Sequence, residues 1–312
     1  MTSAARDALV GAVDRLLDAP APPGALALAQ ALRVRYGQTV AAVLFYGSNF
    51  RRADDREGLL DLYVLVDDAR AALGTRWSAF ACRLLPPNVY YLEQPLADRT
   101  VRGKVALLET AAFVRYMTAQ QSYFWGRFAQ ASGLLYARGA AERAQVAGAI
   151  GQAVLTLLER ALPLLGERFD EASWWRTALA ACYGSELRPE RPGAVDALVR
   201  DLAPWRGALT PLVARCLATV RPDGAGYRQT LAPLRRGAGR LGWVGRRALG
   251  KSLNVARLIK AAFTFAGGVD YILWKVERHS GVRLEATPFL RRHPLLGIWG
   301  VAWRLWRRGG FR

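Results

Sequence analysis

Two apolar runs stand out along the chain, VAAVLFY (40–46) and LLDLYVLVD (59–67), separated by a polar, charged segment at 47–58. Short apolar runs rich in Val, Leu and aromatic residues, bounded by Gly and Asp, predict strands. Upstream, residues up to Leu17 read as an amphipathic helix, and the alanine-rich stretch 25–36 precedes the first strand. Residues 76–84 read as helix, and NVYYLE (88–93) and RGKVALLE (102–109) as further strands.

From about residue 138 the spacing turns helical, first in AERAQVAGAIGQAVLTLLERALPLL and then, after a break, in DEASWWRTALAACYGSEL. The Pro and Gly content of LRPERPGA (187–194) and RPDGAGY (221–227) predicts loops. The expected organisation is a first α/β region at 1–137, a helical region at 138–234 and a basic, Trp-rich C-terminal region at 235–312.

Charge sharpens that division. Residues 235–312 carry 17 basic and 3 acidic side chains, a net of +14 out of +19 for the whole chain. Only four of the 44 basic residues are Lys, so part of the Arg excess follows base composition alone; its concentration in the last region points to a local anionic partner. The three cysteines, Cys82, Cys182 and Cys216, are widely spaced, which predicts reduced thiols in cores. The N-terminus has acidic residues and no unbroken apolar stretch, unlike a signal peptide.

Candidate chemistry sits between the first two strands. Gly47 and Ser48 leave the first run, and Asp61 opens the second. Backbone N–H groups at such a small-residue turn can approach a triphosphate, with the Ser hydroxyl as a further donor, while a carboxylate at the adjacent strand end can hold Mg²⁺. This is how a nucleotidyltransferase site begins, except that Tyr63 stands where a second carboxylate is usual; strand alternation puts it on the Asp61 face. Lys104 lies in an otherwise apolar strand and needs an anionic partner, either a triphosphate, Asp61 or Glu109. Arg127, amid aromatic residues, can clamp a phosphate or pair structurally. Tyr90 and Tyr91 alternate, so one belongs to the core and the other can line a pocket. Trp174 and Trp175 read as helix packing, and His279 and His293 as non-catalytic.

These residues resemble the mitochondrial-type phosphatidate cytidylyltransferases, the translocator assembly and maintenance family. The matching stretches are Tyr46-Gly47-Ser48, Asp61-Leu62-Tyr63-Val64 with Val66-Asp67-Asp68, Val89-Tyr90-Tyr91, Lys104, and Phe124-Trp125-Gly126-Arg127. Further on, Leu164 to Phe169, Ala180 to Arg188, and Arg257, Lys260 and FTFAGG (263–268) follow in the family's order. The resemblance covers most of 43–188 and, more weakly, 250–268. That family also has an apolar residue two places after its first Asp, which accounts for Tyr63. The chain departs from it at Asn49, where the family has a second Gly, at Glu186, where it has Asp, and at 69–77, where it has an aromatic-and-histidine segment.

The resemblance implies an α+β fold, with a nucleotidyltransferase-like mixed sheet flanked by helices, then a helical domain and a basic amphipathic tail. It implies Asp61 and Glu186 as catalytic Mg²⁺ ligands, with Asp55 the alternative second acid. Gly47, Ser48, Tyr91, Lys104, Arg127 and Arg188 would bind the nucleotide. The implied reaction joins CTP and phosphatidate to give CDP-diacylglycerol and pyrophosphate, at the cytoplasmic face of a membrane (the inner membrane, in a bacterium).

The tail suits that setting. The stretch 252–276 is strongly apolar, but Lys260 and Asp270 interrupt it, and a charge near a bilayer centre costs roughly 2.5–3.5 kcal/mol, which disfavours a spanning helix. Trp299, Trp303 and Trp306 recur at helical spacing beside Arg304, Arg307 and Arg308, as an anchor lying on an anionic membrane surface requires. No nucleic-acid partner is expected on this reading. Two alternatives stay open at this point: a soluble nucleotidyltransferase acting on RNA or a small molecule, and an inactive membrane-bound scaffold.

Overall fold

The computed structural model describes residues 3–56, 58–186, 193–264 and 287. Two helices, α1 (Ser3–Leu16) and α2 (Pro23–Tyr36), lead into strand β1 (Val40–Tyr46). The segment after it is not all loop: Gly47–Arg52 forms a short helix, α3, before β2 (Leu60–Val66). Helices α4 (Ala69–Leu73) and α5 (Arg76–Leu84) follow, then β3 (Asn88–Pro95) and β4 (Thr100–Glu109). Helices α6 (Thr110–Tyr116) and α7 (Trp125–Phe128) precede β5 (Ser132–Ala137), a strand whose short, Gly-containing sequence gave no distinct signal.

The five strands form one mixed sheet in the order β3-β4-β2-β1-β5. Only β2 and β4 run parallel; the other neighbours are antiparallel. All seven residues of β1 are buried, because helices cover both faces and the run has no solvent side to mark with polar residues. Val43, Phe45, Leu62 and Val64 face α2 and α5. Ala42, Leu44, Tyr46, Tyr63 and Leu65 face the opposite way, into a larger core.

That larger core takes in α1, α8 (Ala140–Ala161), α9 (Glu171–Tyr183), α10 (Ala194–Asp201) and α11 (Ala203–Cys216). Asp170 starts α9 by accepting the Ser173 N–H at 2.7 Å, a standard N-cap. Trp174 and Trp175 are fully buried, as expected of packing residues, each with its indole N–H satisfied. All three cysteines are buried free thiols.

Two expectations need correction. The segment 221–227 is the centre of a hairpin, β7 (Val220–Asp223) and β8 (Gly226–Gln229), joined by the two-residue strand β6 (Arg168–Phe169) in a second sheet. Its arms are too short for periodicity to show against the Pro and Gly residues. The C-terminal region also begins not as a separate tail but as α12 (Pro233–Thr264), a 32-residue helix laid on the core. Trp243 of α12 is buried against Trp125 and donates to the Arg160 carbonyl at 2.7 Å. Farther along, the Lys260 ammonium is capped by the carbonyls of Leu85 and Pro87 and by the Asn88 side chain. Among the described residues no helix is long and apolar enough to cross a membrane. Trp299, Trp303, Trp306, Arg304, Arg307 and Arg308 lie outside the described residues, as does Arg188.

Candidate active site

The strand registers line up one transverse row across the sheet. Tyr91 pairs with Lys104, Lys104 with Asp61, Asp61 with Tyr46 and Tyr46 with Ser132. Directly paired residues point the same way, so all five side chains share the face that carries the larger core. The Lys104 ammonium stands 3.8 Å from the Asp61 carboxylate, with the two side chains 44% and 30% exposed. Lys104 is therefore not a deeply buried cation. Its neighbour is Asp61, whereas Glu109 is taken by Arg83 at 2.8 Å.

Gly47 adjoins this row and has no substitute. Its φ is +89°, and a Cβ placed there would come within 2.9 Å of an Asp61 carboxylate oxygen. The bare backbone thus makes room for the carboxylate. Ser48 is exposed in the first turn of α3. Asn49 also finds its explanation: its side-chain amide donates to the Leu59 carbonyl at 3.3 Å, tying α3 to the entry of β2. Tyr91 lies on the site face and donates to Glu93 at 2.5 Å. Tyr90 turns the other way, towards Tyr36 of α2. The two tyrosines fall on opposite faces, as strand alternation requires, and both are largely buried.

The alternative acid is otherwise engaged. Asp55 is nearly buried, accepts the Gly24 N–H at 2.6 Å and pairs with Arg99 at 2.8 Å. It fastens the start of α2 to the loop after α3, which makes its role structural.

A second group of polar side chains stands beside the row. Arg127, on α7, lies 3.9 Å from Glu186, just past the end of α9. Its guanidinium is 5.9 Å from the Tyr46 ring and 4.3 Å from the Tyr123 ring. Arg127 therefore connects the Glu186 side to Tyr46, the cross-strand partner of Asp61. Tyr46, Tyr63 and Phe128 pack beneath as an aromatic floor, with centroids 4.8–6.0 Å apart. Helix α12 passes close enough that any side chain at Gly250 would strike the Ser185 carbonyl at 2.4 Å. That approach brings Arg257 over Tyr123, at 4.0 Å.

The electrostatics follow from this crowding. Burial pushes the Tyr46 and Tyr63 phenols well above the usual tyrosine value, and the Asp61 charge adds to the effect on Tyr46. Burial alone would also raise Tyr123, yet Arg127, Lys104 and Arg257 hold it below its ordinary value. Desolvation opposes the Arg127 charge, but the surrounding tyrosines and Glu186 keep this guanidinium firmly protonated. Sequence reasoning missed Tyr123. Its one signal was an aromatic residue four places before an Arg, which is also what ordinary packing produces.

No group of three or more His, Cys, Asp or Glu side chains that could hold a metal occurs among the described residues. Mg²⁺ needs none when it arrives with a nucleotide, since it commonly binds through one or two carboxylates plus substrate phosphates. The partly exposed Asp61 suits that mode, and Glu186 lies on the Arg127 side. No protein-family model matches the chain, and no curated protein sequence matches it.

Proposed function

We propose that this protein transfers a cytidylyl group from CTP to phosphatidate, giving CDP-diacylglycerol and pyrophosphate, as a peripheral enzyme at the cytoplasmic face of a membrane. The observation that carries this reading is the row Tyr91–Lys104–Asp61–Tyr46, with the Gly47 backbone against the Asp61 carboxylate. A carboxylate, an ammonium and a bare glycine turn at one level of a sheet form a place for a metal-bound triphosphate. The motifs that resemble the cytidylyltransferase family fall on these same positions.

In the reaction, a phosphate oxygen of the acceptor attacks the α-phosphorus of CTP, and the bond to the β-phosphate breaks as pyrophosphate leaves. The chain's part is positioning and charge neutralisation. Mg²⁺ held by Asp61 and Glu186 would offset the triphosphate charge. Lys104 would contact the phosphates, with Gly47 and Ser48 supplying backbone and hydroxyl donors, while Tyr91 lines the edge strand. Arg127, kept protonated by its surroundings, would neutralise charge on the far side. A phosphatidate acceptor stays in the bilayer, so the enzyme has to reach the surface. The net +14 of residues 235–312 and their terminal Trp and Arg residues supply that attraction.

The test is incubation of purified protein with labelled CTP, Mg²⁺ and phosphatidate-containing vesicles, beside Asp61→Ala. Wild-type protein is expected to form CDP-diacylglycerol and the variant to form almost none. Absence of product from wild type, or equal product from both, overturns the reading.

A further inference from the structure

Arg127 and Arg257 stack on one ring, 4.3 and 4.0 Å from the Tyr123 centroid. Two guanidiniums sharing a ring repel each other, and the arrangement calls for an anion. The acid within ion-pair range is Glu186, which at 3.9 Å from Arg127 is beyond hydrogen-bond distance. Arg257 is held in place rather than mobile. Its Nε donates to the Pro86 carbonyl at 3.1 Å and one terminal nitrogen to the Gln121 side chain at 2.5 Å. Its other terminal nitrogen, Nη1, is buried with no hydrogen-bond partner among the described residues. A buried guanidinium donor left unpaired costs about 1–3 kcal/mol, which a doubly charged phosphate can return.

We propose that Arg257 and Arg127, stacked on Tyr123, form a second phosphate subsite, distinct from the triphosphate place at Asp61 and Lys104, that binds the phosphate monoester of the acceptor. The inference rests on the transferase reading for the role of that phosphate, though not for its binding. A monoester dianion matches two fixed guanidiniums better than the diester of an ordinary phospholipid, which offers one charge and no free face. On this arrangement α7 and α12 hold the nucleophile while the sheet holds the nucleotide, and Tyr46, paired with Asp61 and 5.9 Å from Arg127, lies between them.

The experiment uses the full chain and reads binding apart from turnover. Thermal shifts are measured with dioctanoyl phosphatidate, with glycerol 3-phosphate and with dioctanoyl phosphatidylcholine, for wild type, Arg257→Gln and Arg257→Lys. Dioctanoyl phosphatidate is expected to stabilise wild type, Arg257→Lys to keep part of the shift, and Arg257→Gln to lose it; the choline diester has no effect. Glycerol 3-phosphate separates the sources: a shift equal to that of the lipid means the headgroup alone is read, and a smaller shift means the acyl chains contribute. Either result supports the subsite. In the transfer assay, Arg257→Gln raises the KM for phosphatidate by about tenfold or more, the loss of one charge-assisted hydrogen bond, with CTP affinity little changed. Phosphatidate shifts that are equal in wild type and Arg257→Gln, or absent from wild type, overturn the subsite. Binding that follows this pattern without any nucleotidyl transfer would leave the subsite standing and remove the transferase reading. A melting temperature of unliganded Arg257→Gln near that of Arg257→Lys shows that lost docking of α12 is not the cause.

Discussion

The Asp61 carboxylate and the Lys104 ammonium face each other across two parallel strands, 3.8 Å apart and both partly open to solvent. An exposed pair of this kind contributes at most about 1 kcal/mol to stability. Asp61→Ala is therefore expected to melt within a few degrees of wild type while its nucleotidyl transfer falls by about a hundredfold or more. Parallel measurement of melting temperature and CDP-diacylglycerol formation checks this. A variant that loses both together would make Asp61 a structural residue.

Gly47→Ala couples the two properties instead. The added methyl meets the Asp61 carboxylate at 2.9 Å, and alanine is strained at φ +89°. Destabilisation of about 1–2 kcal/mol is expected, with transfer reduced nearly as far as in Asp61→Ala. Urea denaturation and the transfer assay test the two parts separately.

Asp55 offers the contrast. Asp55→Ala leaves the Gly24 N–H without its acceptor and the Arg99 guanidinium with Asp98 alone, and about 1–3 kcal/mol of stability should be lost. Specific activity of the molecules that remain folded should stay close to wild type. A large loss of activity without loss of stability would return Asp55 to the list of metal ligands.

Lys260 gives a pH test. Burial, with some help from Arg257, lowers its pKa from 10.5 to about 8. Between these values the unfolded chain holds more protons than the folded one, so this group's contribution to stability rises with pH across that window and is constant below it. The difference in unfolding free energy between wild type and Lys260→Met should move towards wild type by on the order of 1 kcal/mol from pH 7.5 to 10. Urea titrations at several pH values measure it; a flat difference contradicts the assignment.

Removal of residues 265–312 tests the membrane role. Those residues hold most of the Trp and Arg of the C-terminal region. Sedimentation with vesicles rich in phosphatidate should fall sharply for the shortened chain, and wild-type binding should weaken as salt is raised. Undiminished binding would place the lipid-contacting surface within residues 1–264.

The sheet was largely legible in advance, and for a physical reason. Strands buried on both faces must be continuously apolar, so β1 and β2 announced themselves by run length alone. The face of each residue followed from alternation, which put Tyr63 with Asp61 and separated Tyr90 from Tyr91. Relations set by tertiary packing were not legible. Nothing in the spacing of Asp55 says that it fastens α2, and nothing near Tyr123 says that an Arg more than a hundred residues later will stack on it. The β7–β8 hairpin was hidden because its turn residues outnumber the signal of its four-residue arms. Asn49 looked like a defect in a glycine turn until its bond to Leu59 showed what it ties together.

Helix α12 would extend about 48 Å if straight, and it delivers Arg257 to a ring that was positioned by residues far earlier in the chain. A ribosome finishes the sheet, with Asp61 and Lys104 in register, well before it makes that arginine. If the proposed assignment holds, the growing polypeptide can thus assemble its nucleotide side while the acceptor side is still unwritten. On this assignment, the acceptor subsite is complete only once synthesis has reached α12, the helix that opens the most basic region of the sequence.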